Sequence, residues 1–163
     1  MINTDIKVYL TVGSGNGMSL GGVTSATQAG ETLHALFDYV TPEEAADGNV
    51  LAPEYRAVDV KNTHLSETLY GAVLYISSQT SSGNTSFEVA YDTGTQSVVN
   101  ENTAPSAPAL TFSIASTKAT GIVLGDMAPS VKKRVWVKWI VSAGAVKMLN
   151  DTAKFKIEGG VAE

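Results

Sequence analysis

The chain has 163 residues, enough for one domain with a substantial core, and 44% of them are hydrophobic while only 17% are charged. Its net charge of -5 argues against a general nucleic-acid binder, which needs a basic footprint, and its lack of cysteine excludes disulfides and thiolate metal sites. No apolar run approaches the roughly 20 residues of a membrane-spanning helix. The first residues lack a signal-peptide pattern, so we expect a protein that is made in a cytoplasm and does not bind a membrane.

The first third of the chain predicts strands separated by glycine-rich loops. Apolar residues alternate over residues 6–12, which predicts a strand with its four apolar side chains inward. Residues 13–17 end this strand, and residues 20–23 are broken by glycine and predict a loop. Residues 33–40 form a less regular strand candidate. Residues 41–48 predict a short connector helix, because a threonine cap, a proline at the first helical position and a final glycine bracket them.

The middle of the chain predicts a strand pair over residues 55–62 and 69–76 and a further strand over residues 86–92. The core candidates of the pair are Val58 and Val60 on the first strand and Leu69, Val73 and Tyr75 on the second. Residues 93–108 contain few large apolar side chains and two prolines, which predicts a long surface loop.

The last third adds strands over residues 110–114, 121–124, 132–144 and 153–158. Roughly eight short strands, turn residues between them and one short connector helix are typical of an all-β, antiparallel, immunoglobulin-like β-sandwich. No linker or repeat divides the chain, so we expect a single domain over residues 1–163.

Residues 132–144 contain both tryptophans and form the strand around which the fold is expected to be organised. Its inward set is Val135, Val137, Trp139 and Val141, and its half-exposed set is Arg134, Trp136, Lys138 and Ile140. Trp136 would then lie outside the core among cations. The alternative is that a second layer, a loop or the C-terminal tail covers Trp136.

Residues suited to catalysis or metal binding are few. His34 and His64 lie about 30 residues apart in the sequence, without the short spacing of a zinc pair. The serine in residues 13–17 is not followed by a helix pattern. Asp92–Gly94 and Asn150–Asp151 do not match the spacing of a calcium loop and are explained as turns. We therefore expect no enzyme, no cofactor and no metal.

The scarcity of catalytic candidates favours a protein that works by binding or as a structural component. The strand over residues 69–76 is apolar on both faces, and the segments 13–30 and 93–108 are long loops of small residues that could order against a neighbour. Apolar faces of this kind favour an assembly. A thick ordinary core would explain them equally.

Three segments resemble small structural proteins of tailed bacteriophages. They are GGVTS at residues 21–25, YRAVDVKNTH at residues 55–64, which is followed by an apolar strand over residues 69–76, and VWVKWIV at residues 135–141. The resemblance spans most of the chain and implies a virion protein that decorates or cements the capsid. It implies no catalytic residues.

The expected function is therefore that of a capsid decoration protein, located on the capsid surface, that binds the major capsid protein as a lattice of many copies or a homo-oligomer. Trp136, Arg134 and Lys138 are the expected contact residues, because tryptophan and arginine are enriched at interfaces. One alternative is a component of the phage neck or tail. Another is a carbohydrate-binding module in which Trp136, Tyr9 or Tyr70 stacks on sugar.

Overall fold

The structure, a computed structural model, describes residues 5–12, 19–29, 36–37, 51–80, 84–94, 96–145 and 152–161, and these form eight strands in two antiparallel sheets. The strands are β1 (Ile6–Val12), β2 (Val23–Gln28), β3 (Glu54–Asn62), β4 (Leu69–Gln79), β5 (Thr85–Asp92), β6 (Ile122–Met127), β7 (Lys132–Val141) and β8 (Ala153–Gly160). A five-stranded sheet has the order β2-β1-β3-β7-β5, and a three-stranded sheet has the order β6-β4-β8. The predicted all-β, antiparallel sandwich is confirmed.

The core lies between the two sheets. Val58 and Val60 of β3 and Val135 and Val137 of β7 alternate towards it, and all four are buried. Leu74 of β4 packs against them from the three-stranded sheet. The predicted inward positions of β3 and β7 are therefore confirmed, because alternation fixes the face of each side chain in a regular strand.

The predicted inward face of β4 is partly wrong. Gly71 has φ 56°, and the pairing of β4 with both neighbours shifts register around it. This bulge adds one residue to β4, so Leu74 and Ile76 join the core cluster, in which the predicted Leu69 and Tyr75 also lie. The predicted Val73 is instead half-buried opposite Val123 of β6.

Four other predictions have different outcomes. Strand β2 was expected to be part of a loop, because its side chains are mostly serine, threonine and glutamine without apolar alternation. Residues 110–114 form no strand and contribute only a bridge at Ser113. The strand candidate 33–40, apart from residues 36–37, and the connector helix 41–48 lie outside the described residues. The one helical element in the described part is a 3-10 turn over Lys118–Thr120.

A short segment closes one side of the sandwich. Ser113 exchanges two backbone hydrogen bonds of 2.9 and 3.0 Å with Val89 at the edge of the five-stranded sheet. The carbonyl of Ala115 accepts a bond of 2.7 Å from the backbone N–H of Ile76 in the three-stranded sheet. Residues 113–115, the bridging segment, therefore join the two sheets directly.

Among the residues that the structure describes, no helix is long and apolar enough to cross a membrane.

Candidate functional site

The candidate site is the side of the five-stranded sheet that faces away from the core, which we call the outer face. Cross-strand partners point to the same side of a sheet, so the register assigns its members. They are Lys7, Tyr9 and Thr11 of β1, Tyr55, Ala57, Asp59 and Lys61 of β3, Lys132, Arg134, Trp136 and Lys138 of β7, and Glu88, Ala90 and Asp92 of β5.

An ion pair lies in the middle of the outer face. Arg134 Nε and Nη2 donate to the two carboxylate oxygens of Asp59, each at 2.9 Å, and each side chain is 2% exposed. The third nitrogen, Nη1, donates to the carbonyl of Gln96 at 3.2 Å. The Thr24 hydroxyl also donates to Asp59. A charge-assisted, bidentate pair of this kind fixes geometry more strongly than a single contact does.

Trp136 lies beside this pair and is fully buried, at 0% exposure. Its indole packs with Leu20, Tyr55 and Val98 in a second apolar cluster on the outer face. Its Nε1 donates to Asp92 Oδ2 at 3.1 Å. A buried indole N–H needs such a partner, so Asp92 fixes the orientation of the ring.

Asp92 and Gln96 organise the chain that leaves β5. Asp92 accepts backbone N–H bonds from Gly94 at 2.7 Å and from Gln96 at 3.1 Å. The Gln96 side chain bonds the N–H of Ala107 and the carbonyl of Pro108, at 2.9 and 3.0 Å. These bonds hold residues 96–112, the covering segment, against the outer face.

The covering segment is anchored at its far side by the residues between β1 and β2. The carbonyl of Leu20 accepts the N–H of Val98, and the carbonyl of Gln96 accepts the N–H of Gly22, both at 2.9 Å. Gly21 has φ 90°, and a Cβ there would lie 2.0 Å from the carbonyl oxygen of Gln96. Only glycine fits this position.

A buried polar cluster supports the anchor. β1 separates from β3 after Leu10, and the carbonyl of Ser19 accepts the N–H of Ala57 in its place, at 2.6 Å. The Ser19 hydroxyl donates to the Ala57 carbonyl at 2.7 Å and accepts the N–H of Thr11 at 2.9 Å. The backbone groups freed at the end of β1 are therefore satisfied locally, as buried polar groups require.

The expected exposure of Trp136 and Arg134 is wrong. Both lie on the face that the alternation predicts, but the covering segment buries them, which is one of the alternatives that the sequence left open. Residues 93–108, in their described part, form a mostly exposed loop as expected, but Val98 of this loop packs against Trp136. A partner reaching Trp136 would first have to displace the covering segment.

Lys138 differs from these two residues. Its side chain is 20% exposed and its Nζ lies 2.8 Å from Glu88 Oε2. The ammonium also lies 5.9 Å from the ring centroid of Phe112 in the covering segment. Of the three predicted contact residues, Lys138 is the one that solvent partly reaches.

The outer face is basic at the end away from the described contacts of the covering segment. Lys7 of β1 is registered opposite Lys61 of β3, and Lys61 is registered opposite Lys132 of β7. We call these three residues the lysine row. The Lys61 ammonium lies 6.0 Å from the ring centroid of Tyr9, and Lys132 lies 3.9 Å from Asp59. Lys7 and Lys61 could not be identified from the sequence, because no local pattern gives the register between strands distant in sequence.

A second charged group lies on the three-stranded sheet. Lys156 Nζ and Glu158 Oε1 are 2.5 Å apart, and Lys118 approaches the other oxygen of Glu158 at 3.7 Å. The hydrogen bond to Glu158, followed by one to Tyr75, raises the pKa of Lys156 above its ordinary value of 10.5. The hydrogen bond from Lys156 lowers the pKa of Glu158 below 4.5.

The remaining chemical candidates have structural surroundings. His64 Nδ1 accepts the backbone N–H groups of Ser66 and Glu67, so this ring shapes a turn. Both oxygens of Asp92 accept N–H donors, as described above. Among the described residues, no three acidic or histidine side chains gather as a metal site. His34 and residues 13–17 and 150–151 lie outside the described part of the chain.

Comparison of this sequence and fold with protein-family models, with curated proteins and with solved structures finds no match in any of the three.

Proposed function

We propose that this protein is a structural component of a bacteriophage virion, of the capsid decoration type, that binds and stabilises the shell of the major capsid protein. The observation that carries the proposal is the position, within the fold, of the segments that resemble phage structural proteins. Residues 55–62 and 135–141 belong to β3 and β7, which are adjacent inner strands of the five-stranded sheet, and residues 69–76 belong to β4, the middle strand of the other sheet. The resemblance therefore extends over the framework of the fold.

The construction of the outer face supports a mechanical role. The Arg134–Asp59 pair and the Trp136–Asp92 bond are both buried, and the covering segment lies over them. Interactions shielded from water respond weakly to salt. A unit held in this way suits a protein that bridges capsid subunits against the pressure of packaged DNA.

Exposed apolar side chains supply part of the contact surface. Val12 and Val23 are registered partners on β1 and β2, and they are 49% and 74% exposed. Val99 of the covering segment is 67% exposed. In a lattice of many copies each contact can be weak, because simultaneous binding at many sites raises the overall affinity.

The test is mass spectrometry and cryo-electron microscopy of intact particles of the virus that carries the gene. We expect density for this chain at many symmetric positions on the outside of the head. A few copies at one vertex would instead make it a neck or tail component, and absence from the particle would overturn the proposal.

A second candidate function is sugar binding, and the exposure of Tyr70 favours it. Tyr70 is 47% exposed, whereas Trp136 is buried and the ring of Tyr9 lies beside Lys61. A glycan array distinguishes the two candidate functions. Binding of the wild type to a glycan that is lost in Tyr70→Ala would favour a carbohydrate-binding module. If the wild type binds no glycan on the array, the sugar-binding function is excluded.

A further inference from the structure

The lysine row is an arrangement that contacts within the chain stabilise only in part, through Lys132 with Thr24 and Asp59 and through Lys61 with the ring of Tyr9. Lys7, Lys61 and Lys132 occupy directly opposite positions on three neighbouring strands, on one side of the sheet. Like charges placed directly opposite each other across strands are destabilising. Neighbouring strands lie about 4.8 Å apart, so three cations stand across about 10 Å of surface.

The counter-charges of the described outer face are already used. Asp59 is the carboxylate nearest in the register; both of its oxygens bind Arg134 at 2.9 Å, and Lys132 reaches it only at 3.9 Å. Asp92 accepts the Trp136 indole and the backbone of the covering segment. In the described strands no carboxylate is registered opposite any residue of the lysine row.

The lysine row is also more accessible than the buried centre of the outer face at Arg134 and Trp136. Lys132 is 47% exposed, and Lys7 and Lys61 are half-buried. The described contacts of the covering segment lie on the Trp136 and Arg134 side of the face. The row therefore presents ammonium groups to a partner without displacement of the covering segment.

We infer that the lysine row is a docking surface for an acidic surface of a partner protein. Lysine ammonium groups on flexible stems match carboxylates as point charges and do not require a fixed bidentate geometry. Opposite charges across an interface steer association and fix its orientation. The inference rests on the proposed function in one respect, since it identifies the partner surface as an acidic patch of the capsid shell.

A protein partner fits the charge distribution better than a nucleic acid does. The chain carries a net charge of -5, so the lysine row is a small basic patch on an acidic chain. Nucleic-acid surfaces combine an extended basic footprint with arginine contacts. The only arginine on this face, within the described residues, is Arg134, which is buried.

The test measures binding of the full chain to labelled poly-L-glutamate and to a labelled DNA duplex by fluorescence anisotropy at low and high salt. Three proteins are compared: the wild type, the triple variant K7Q/K61Q/K132Q, and the charge-matched control K118Q/K154Q/K156Q, whose residues lie on β8 and in the neighbouring 3-10 turn. Circular dichroism and melting temperatures establish that each variant is folded.

We expect the wild type to bind poly-L-glutamate more tightly than DNA, with an affinity that falls as salt is added. The lysine-row variant should lose affinity by at least about tenfold, and the control should stay within about twofold of the wild type. Equal losses in the two variants, no loss in the first, absence of wild-type binding, or preference for DNA would each overturn the inference.

Co-sedimentation with isolated capsids separates this inference from the proposed function. One outcome is that poly-L-glutamate binding depends on the lysine row but the protein does not sediment with capsids. This would overturn the proposed function and support the lysine row as a docking surface for an acidic partner. Capsid binding that is equal in the wild type and the lysine-row variant would support the function and overturn the docking surface.

Discussion

Arg134 and Asp59 face each other across β7 and β3 and share two hydrogen bonds of 2.9 Å at a place where both side chains are 2% exposed. Removal of one member of such a pair leaves a buried charge without its partner, at a cost of about 3–5 kcal/mol. We therefore expect Arg134→Met to lower the free energy of unfolding by that amount in urea denaturation.

Two further variants sharpen this test. The double variant R134M/D59L removes both charges and should recover part of the loss, since well-packed apolar residues often replace a buried pair at little cost. Lys138→Met breaks the Lys138–Glu88 pair, whose members are about one-fifth exposed, and should cost about 1 kcal/mol or less. Equal losses for Arg134→Met and Lys138→Met would contradict the buried pair.

Tryptophan fluorescence tests the burial of Trp136 directly. In Trp139→Phe the remaining Trp136 should emit at short wavelength and resist quenching by acrylamide and iodide, because its exposure is 0%. In Trp136→Phe the remaining Trp139, which is half-buried, should be quenched more strongly. Stronger quenching of Trp136 than of Trp139 would mean that the covering segment is not in place.

Gly21 is the position where the covering segment is most sensitive to substitution. Gly21→Ala adds a Cβ that would lie 2.0 Å from the Gln96 carbonyl oxygen, in addition to the strain of φ 90°. The strain alone costs about 1–2 kcal/mol for a residue other than glycine, and the clash adds to it. We expect a larger loss of stability, and faster hydrogen exchange at Val98.

Gly125→Ala is the matched control, because Gly125 has φ 74° and open space where a Cβ would lie. It should show the strain alone, about 1–2 kcal/mol. If Gly21→Ala cost no more than Gly125→Ala, the close approach of residue 21 to the covering segment would be refuted.

Neutralising Lys7 should stabilise the fold. Lys7 is registered opposite Lys61, and relief of a like-charge cross-strand pair is worth about 0.2–1 kcal/mol. The gain in Lys7→Gln should appear at low salt and diminish at high salt, because salt screens exposed charges. Lys154→Gln on β8 is the control and should show no such gain; a loss of stability in Lys7→Gln would count against the repulsion.

The Lys156–Glu158 pair predicts a pH window. Glu158 has a lowered pKa, so its contribution to stability is complete above the ordinary value of 4.5 and disappears as the pH falls through the folded pKa. Lys156 has a raised pKa, so its contribution is complete below 10.5 and disappears as the pH rises through the folded value.

Thermal melting over this range provides the measurement. The difference in melting temperature between the wild type and Lys156→Gln should be largest in the middle of the window and shrink towards both ends. A difference that does not change with pH would contradict the ionic origin of the contact.

The sequence predicted the framework but not the surfaces. Alternation located seven of the eight described strands and the inward residues of β3 and β7, since a half-buried strand imposes a period of two. It could not anticipate the bulge at Gly71, which brings Leu74 and Ile76 into the core cluster and leaves Val73 half-buried.

The candidate site was harder to predict because it depends on contacts distant in sequence. Alternation gave the face of Trp136 but not its cover, which comes from a segment with few large apolar residues. The lysine row requires the register of three strands, two of which precede β7 by more than 70 positions. No local pattern carries that information.

The bridging segment gives the sandwich a direct path for mechanical load. Two sheets joined only by side-chain packing can slide past each other, whereas backbone bonds at Ser113 and Ala115 resist such shear. Tension applied to the three-stranded sheet therefore passes through Ile76 and the bridging segment to β5, and the two sheets should yield together as a single cooperative unit.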